Sequence, residues 1–186
     1  MRRVEARARA GAEAEHGDRR ARRPAARKAA VVARGAVLYW RRMTADLAAI
    51  PGVFDHHHTV AADEIDELDH VNNLHYLAWT QTAAKAHSMA VGWPFARYRE
   101  LGATWVVRSH AIEYLRPARL GDAVVVRTWV TEMGKIHSLR RYEIVRPADA
   151  VVLATAETRW VFVKLAGQSL TRVPEEMRAA FPVVAR

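Results

Sequence analysis

From Val71 to Ala96 the chain carries one formally charged side chain, Lys85, and neither Gly nor Pro interrupts it before Gly92-Trp93-Pro94. A run that long with so few breakers predicts one continuous helix. Its apolar side chains, among them Leu74, Leu77, Trp79, Ala83, Ala86 and Ala90, are spread around the helical wheel. Such a helix is expected to be buried on most faces, which demands a second layer able to wrap it.

The segments that follow read as that layer. Thr104–Leu115, Ala123–Met133, Ile136–Val145 and Val151–Leu165 alternate with period two, are rich in Val, Ile, Trp and Thr, and are divided by Pro117–Gly121, Gly134-Lys135 and Pro147-Ala148-Asp149. These are strand and hairpin signals, and the short turns imply antiparallel neighbours. A further strand is expected over His56–Ile65 and a short helix over Pro174–Ala180. The order β, long α, then four β predicts an α+β domain: one long buried helix wrapped by a curved antiparallel sheet of about five strands. In the last strand both alternating faces carry apolar side chains, so a subunit contact or a ligand cavity could use the second face.

Charge divides the chain. Of 29 Lys and Arg and 20 Asp and Glu, residues 1–42 hold 13 basic and 4 acidic side chains and the remainder holds 16 of each. The formal charge of +9 therefore belongs to an Ala/Arg tract that cannot build a core. Residues 1–42 read as a disordered Arg/Ala-rich tail or as the product of a misassigned start at which Met43 is the true one. The domain is expected over 43–186, nucleic acid is an unlikely partner for it, and no membrane span or export signal is recognised. With no cysteine, disulfides, thiolate metal sites and a Cys nucleophile are excluded, and a cytoplasmic location is compatible. His56-His57-His58 resembles a metal tag, but alternate strand residues point to opposite faces, so no metal site is assigned.

The most unusual stretch precedes the long helix. Asp63, Glu64, Asp66, Glu67 and Asp69 fall within seven residues and lead into His70-Val71-Asn72-Asn73. Acidic residues at a helix start are expected for capping and dipole reasons alone, and Asp69 reads as the cap. Asp66 lies four residues before His70. If the chain turns between them, carboxylate and imidazole face one spot beside backbone N–H groups that lack intrahelical partners, where a carbonyl could be polarised. A helix-entry role for Asp66, turn conformations for Asn72 and Asn73, and solvent exposure for Glu113 are the structural alternatives.

Asp66, His70-Val71-Asn72-Asn73, Tyr76 and Trp79, in that spacing, resemble the signature of hotdog-fold thioesterases, nearest to acyl-acyl carrier protein thioesterases and the 4-hydroxybenzoyl-CoA thioesterase group. The stretch from Ile112-Glu113-Tyr114 through Arg116-Pro117 and Arg119 to Gly121-Asp122 is similar to the strand and turn that follow in those proteins. The resemblance covers roughly residues 54–164. It implies a hotdog domain hydrolysing acyl-CoA or acyl-acyl carrier protein thioesters, without cofactor or metal, as a homodimer or homotetramer with active sites at subunit interfaces. It places Asp66 as general base or nucleophile, with His70 and Asn73 orienting water and substrate. Glu113 matches a second carboxylate, and the division between it and Asp66 stays open. Val71, Asn72 and Tyr76 would line the substrate site, and Arg116, Arg119 and Lys135 could hold phosphates of the thiol carrier. A dehydratase or hydratase on the same fold, and a non-catalytic acyl-CoA sensor, are the alternatives.

Overall fold

The computed structural model describes residues 50–185; the expectations for the basic tract 1–42 and for Met43 lie outside them. Eight elements follow in order: β1 (Val53–Thr59), α1 (Asn73–Ala90), α2 (Phe95–Leu101), β2 (Ala103–Tyr114), β3 (Ala123–Met133), β4 (His137–Arg146), β5 (Val151–Lys164) and α3 (Glu175–Ala180). The strands form one antiparallel sheet in the order β1-β3-β4-β5-β2. Helix α1 lies over β1 and β3. This is the expected α+β architecture.

Alternation along the strands assigns the two faces. Phe54, Thr128, Tyr142, Ala156 and Ile112 form one row across the sheet facing α1, and Asp55, Arg127, Glu143, Thr155 and Glu113 form the neighbouring row on the outer face. The core under α1 joins Tyr76, Trp79 and Ala83 of the helix to Val124, Val126, Tyr142, Ile144 and Ala154 of the sheet. A second cluster, built on Trp93, Tyr98, Phe162, Met177 and Phe181, closes the far end. On the outer face Arg127 donates Nε–H and a terminal N–H to the two carboxylate oxygens of Asp55 at 2.8 and 2.6 Å, a bidentate pair joining β1 to β3.

Several expectations need correction. β1 begins three residues earlier than expected and ends at Thr59, because the Val60 N–H bonds the Asp122 carbonyl (3.0 Å) and the chain leaves the sheet for a 3-10 turn at Ala62–Glu64. The long helix stops at Ala90, where Gly92 (φ 81°) and Pro94 end it, and α2, an unanticipated helix, starts directly after Pro94. α1 is also buried on one face only. Tyr76, Trp79, Thr80, Ala83, Ala84 and His87 are covered at helical spacing, while Leu74 and Met89 are 72% and 64% exposed. Finally, β2 does not neighbour β3. The connection after Tyr114 carries the chain from one edge of the sheet to the other, where β3 pairs with β1, and β2 pairs with β5 instead.

Candidate active site

The acidic stretch folds into a tight turn tied at both ends. Ile65 and Val71 form an isolated antiparallel bridge, the Asp66 N–H bonds the His70 carbonyl (2.8 Å), and the Asp69 N–H bonds the Asp66 carbonyl (3.1 Å). Asp69 takes a left-handed backbone conformation (φ 58°) and is not the helix cap; Asn72 is, its Oδ1 accepting the Leu74 N–H at 3.0 Å. The Asp66 carboxylate, half-buried, uses Oδ1 to accept the Leu68 N–H at 2.9 Å and the His70 N–H at 3.4 Å. That is the local bonding Asp favours in turns, and it orients the carboxylate next to the helix start.

Of the first N–H groups of α1, that of Leu74 goes to the cap and that of His75 to the Asn72 carbonyl (2.9 Å). The Asn73 N–H has no hydrogen-bond acceptor among the described residues, which leaves a donor at the positive end of an eighteen-residue helix. Asn73 is exposed and His70 half-buried. Asp66 and His70 thus lie in the turn that leads into the helix, and Asn73 is the first residue of the helix itself.

Val71, Asn72 and Tyr76 hold the corner together. The buried Val71 donates its N–H to the Ala118 carbonyl (3.0 Å), Asn72 donates its N–H to the Glu64 carbonyl (2.9 Å), and the Tyr76 hydroxyl accepts the Ala118 N–H (2.7 Å). Burial raises the Tyr76 pKa, keeping the phenol neutral. These contacts press the β2–β3 connection, which carries Arg116 and Arg119, against the start of α1. Both arginines are exposed there. Lys135 does not join them, because it sits in the turn after β3, and an eleven-residue strand separates the two ends by about 35 Å. Glu113 is displaced as well. Its strand neighbours Ile112 and Tyr114 face α1, so Glu113 faces the outer side, where it lines a concavity of about 520 Å³ with Val53, Arg127, Trp129 and Glu143. Within one chain, Asp66 and Glu113 lie on opposite sides of the sheet.

One organising residue was not singled out from the sequence. Glu64, 8% exposed, accepts the Ala61 N–H (2.9 Å) and pairs with His58 Nε2 (2.8 Å) through Oε2, and accepts the Trp79 indole N–H (2.7 Å) through Oε1. Burial alone would push the Glu64 pKa up, but the Ala61, His58 and Trp79 hydrogen bonds outweigh it and hold the carboxyl below its ordinary value. The clamp joins β1, the acidic loop and α1. Nothing local distinguishes Glu64 from the four other acids around it; only its long-range partners do. His58 is thus directed at a carboxylate, and among the described residues no group of His, Asp and Glu converges as a metal site. Among the same residues no helix is long and apolar enough to cross a membrane.

Comparison with known proteins gives the family of this fold. The profile described as the thioesterase-like superfamily matches residues 60–181. The chloroplastic acyl-[acyl-carrier-protein] hydrolase FATB3 of Cuphea viscosissima is 32% identical over 74 residues, covering 40% of this chain and 18% of that protein. The putative acyl-CoA thioesterase YneP of Bacillus subtilis (strain 168) is 24% identical over 119 residues, covering 64% of this chain and 83% of that one. The chain thus spans less than a fifth of the plant relative's length but most of the bacterial one's. Among solved structures, the 1,4-dihydroxy-2-naphthoyl-CoA thioesterase Slr0204 from Synechocystis superposes with a TM-score of 0.66 at 21% identity, over 70% of this chain and 96% of its own, which shows the hotdog fold. With the profile covering well over half of its length, the chain belongs to the thioesterase-like superfamily.

Proposed function

We propose that the protein hydrolyses acyl thioesters of coenzyme A or of acyl carrier protein. The observation that carries this reading is the corner just described: a carboxylate fixed through one oxygen beside a helix whose first N–H has no acceptor. Asp66, with its second oxygen directed at a water, removes a proton as the water oxygen attacks the thioester carbon. The carbonyl oxygen becomes an oxyanion and takes the Asn73 N–H, a contact typically worth about 3 kcal/mol in the transition state. The C–S bond then breaks, the carboxylic acid leaves, and the thiolate takes the proton from Asp66. Direct attack by Asp66, followed by hydrolysis of the mixed anhydride, uses the same geometry. His70 and the Asn73 side chain orient water and substrate, and Arg116 and Arg119 at the rim attract the carrier's phosphate.

A dimer fits the same reading. β2 is a twelve-residue edge strand, with Val106 and Val107 39% and 36% exposed, and an edge that long and apolar is a template for pairing with another copy. Such pairing would also bring a second chain towards the uncovered face of α1.

The test is thiol release from acyl-CoA and acyl-carrier substrates of graded chain length, free of background because the chain contains no cysteine. Asp66→Asn is expected to lose about a hundredfold or more in kcat, and Glu113→Gln to stay near wild type. Full turnover by Asp66→Asn, or its loss in Glu113→Gln alone, would refute the assignment.

A further inference from the structure

The contacts that fix the start of α1 meet on one residue, Ala118, fully buried in the β2–β3 connection. Its carbonyl accepts the Val71 N–H and its own N–H goes to the Tyr76 hydroxyl, so the entry and first turn of α1 follow wherever Ala118 sits. Ala118 has no side chain that could anchor it. Its place is set by the residues on either side, Pro117 and Arg119, both of which are exposed.

One side chain holds both neighbours. Arg146, the last residue of β4, directs Nη1–H at Asp122 Oδ2 (2.9 Å) and at the Pro117 carbonyl (3.4 Å). The same Asp122 oxygen accepts the Arg119 N–H at 3.0 Å. The guanidinium therefore reaches the residue before Ala118 directly and the residue after it through a single carboxylate. On its other side Nε and Nη2 donate to Asp149, in the β4–β5 turn, at 3.1 and 2.8 Å. That second grip fixes the plane of the fork and with it the direction of Nη1, which a lysine ammonium could not do. Arg146 and Asp122 are 22% and 24% exposed in their side chains, so their attraction is screened less than that of a fully exposed pair.

We propose that Arg146 is a positioning residue of the candidate site: through Pro117 and Asp122 it fixes Ala118, and through Ala118 it sets where the Asn73 N–H stands relative to the Asp66 carboxylate. The inference rests on the thioesterase reading and adds to it a residue that never meets substrate. Each link is a hydrogen bond to main chain or to a buried side chain, so loosening the guanidinium moves the helix start rather than a surface loop alone. A displacement of about 1 Å in a catalytic group costs up to about a hundredfold in rate, and a partial release is expected to cost about tenfold.

The test measures kcat and KM on an acyl-CoA and on the matching acyl-pantetheine, which lacks the phosphates that Arg116 and Arg119 would meet. Wild type is compared with Arg146→Met, Arg146→Lys, Asp122→Asn and Val173→Ala, each assayed well below its own unfolding midpoint. Val173 is buried in the cluster at the far end, so its truncation reports the effect of lost stability alone. Arg146→Met and Asp122→Asn are each expected to lose about tenfold in kcat on both substrates, with KM nearly unchanged. Arg146→Lys, which keeps the charge and serves if the Met variant fails to fold, is expected to lose most of that. The double variant Arg146→Met with Asp122→Asn should be no slower than either single one, because both cut one path. A merely structural role would lower the midpoints and leave kcat intact, as expected for Val173→Ala. Unchanged kcat in the Arg146 variants, a fall confined to acyl-CoA, additive losses in the double variant, or an equal fall in Val173→Ala overturns the inference while the thioesterase reading stands. A wild type that releases no thiol from any acyl thioester overturns both.

Discussion

Acid should destabilise this fold through one histidine. His87 is 3% exposed, stacked on Phe54 at 5.2 Å and edge-on to Phe181 at 5.4 Å, and its Nδ1 accepts a guanidinium N–H of Arg140 at 2.9 Å. A ring nitrogen that receives an N–H carries no proton, so the imidazole is neutral with its proton on Nε2. Burial first, and the Arg140 charge second, push its pKa from 6.5 down to about 3. In the unfolded chain the ring titrates near its ordinary value. Above pH 6.5 the two states are alike and this residue contributes no pH dependence. Between pH 6.5 and 3 the unfolded chain binds a proton that the native state refuses, so stability falls as pH falls. The slope approaches about 1.4 kcal/mol per pH unit and accumulates to about 5 kcal/mol across the window, a large share of a typical domain's stability. His87→Gln removes the titration while its side-chain carbonyl can still accept from Arg140. Urea denaturation followed by tryptophan fluorescence, at steps from pH 7 to 4.5, gives the curves. The variant is expected to be less stable at pH 7, and the gap to wild type should close by about 2 to 3 kcal/mol by pH 4.5. Curves that stay parallel would refute the argument, because every other titrating group is common to both proteins.

Glu64→Gln is expected to destabilise by about 2 kcal/mol, since one amide oxygen cannot accept from Ala61, His58 and Trp79 at once; denaturation midpoints check it, and an unchanged midpoint would mean the clamp contributes nothing. Val107→Asp places charge on the β2 edge, at the seam of the proposed dimer; wild type is expected to sediment as a dimer and the variant as a monomer, and a monomeric wild type or a dimeric variant would refute that seam.

The elements were legible because their signals are local. β3 spans Ala123–Met133 as expected, and β2, β4, β5 and α3 agree with the sequence reading within about a residue at each end, since period-two alternation and turn residues report directly on backbone geometry. Asp66 and His70 lie in the turn that opens onto Asn73 for the same reason: the residues between them are few, and Asp and Asn form turns. The errors lie where the outcome depends on residues far apart in the chain. α1 was expected to be wrapped on most sides because its composition is apolar all round, but composition does not say which face a single chain covers. The capping assignment failed at Asp69 because Asp and Asn both cap well, and the bridge from Ile65 to Val71 decides which of them meets the first turn.

The sequence alone determined that a long helix would pack with antiparallel strands and that an acidic turn would stand at the start of that helix, since both are dictated by periodicity and turn chemistry within a few residues. Only the tertiary structure decided that β2 pairs with β5 and leaves an edge, that Glu113 faces away from Asp66, that Lys135 stands a strand's length from Arg116, and that Glu64 rather than its acidic neighbours is buried. Each of these follows from strand pairing and packing across dozens of residues. In such pairing a shift of one residue reverses a side chain's face, and nothing in the neighbouring residues records which register has been chosen.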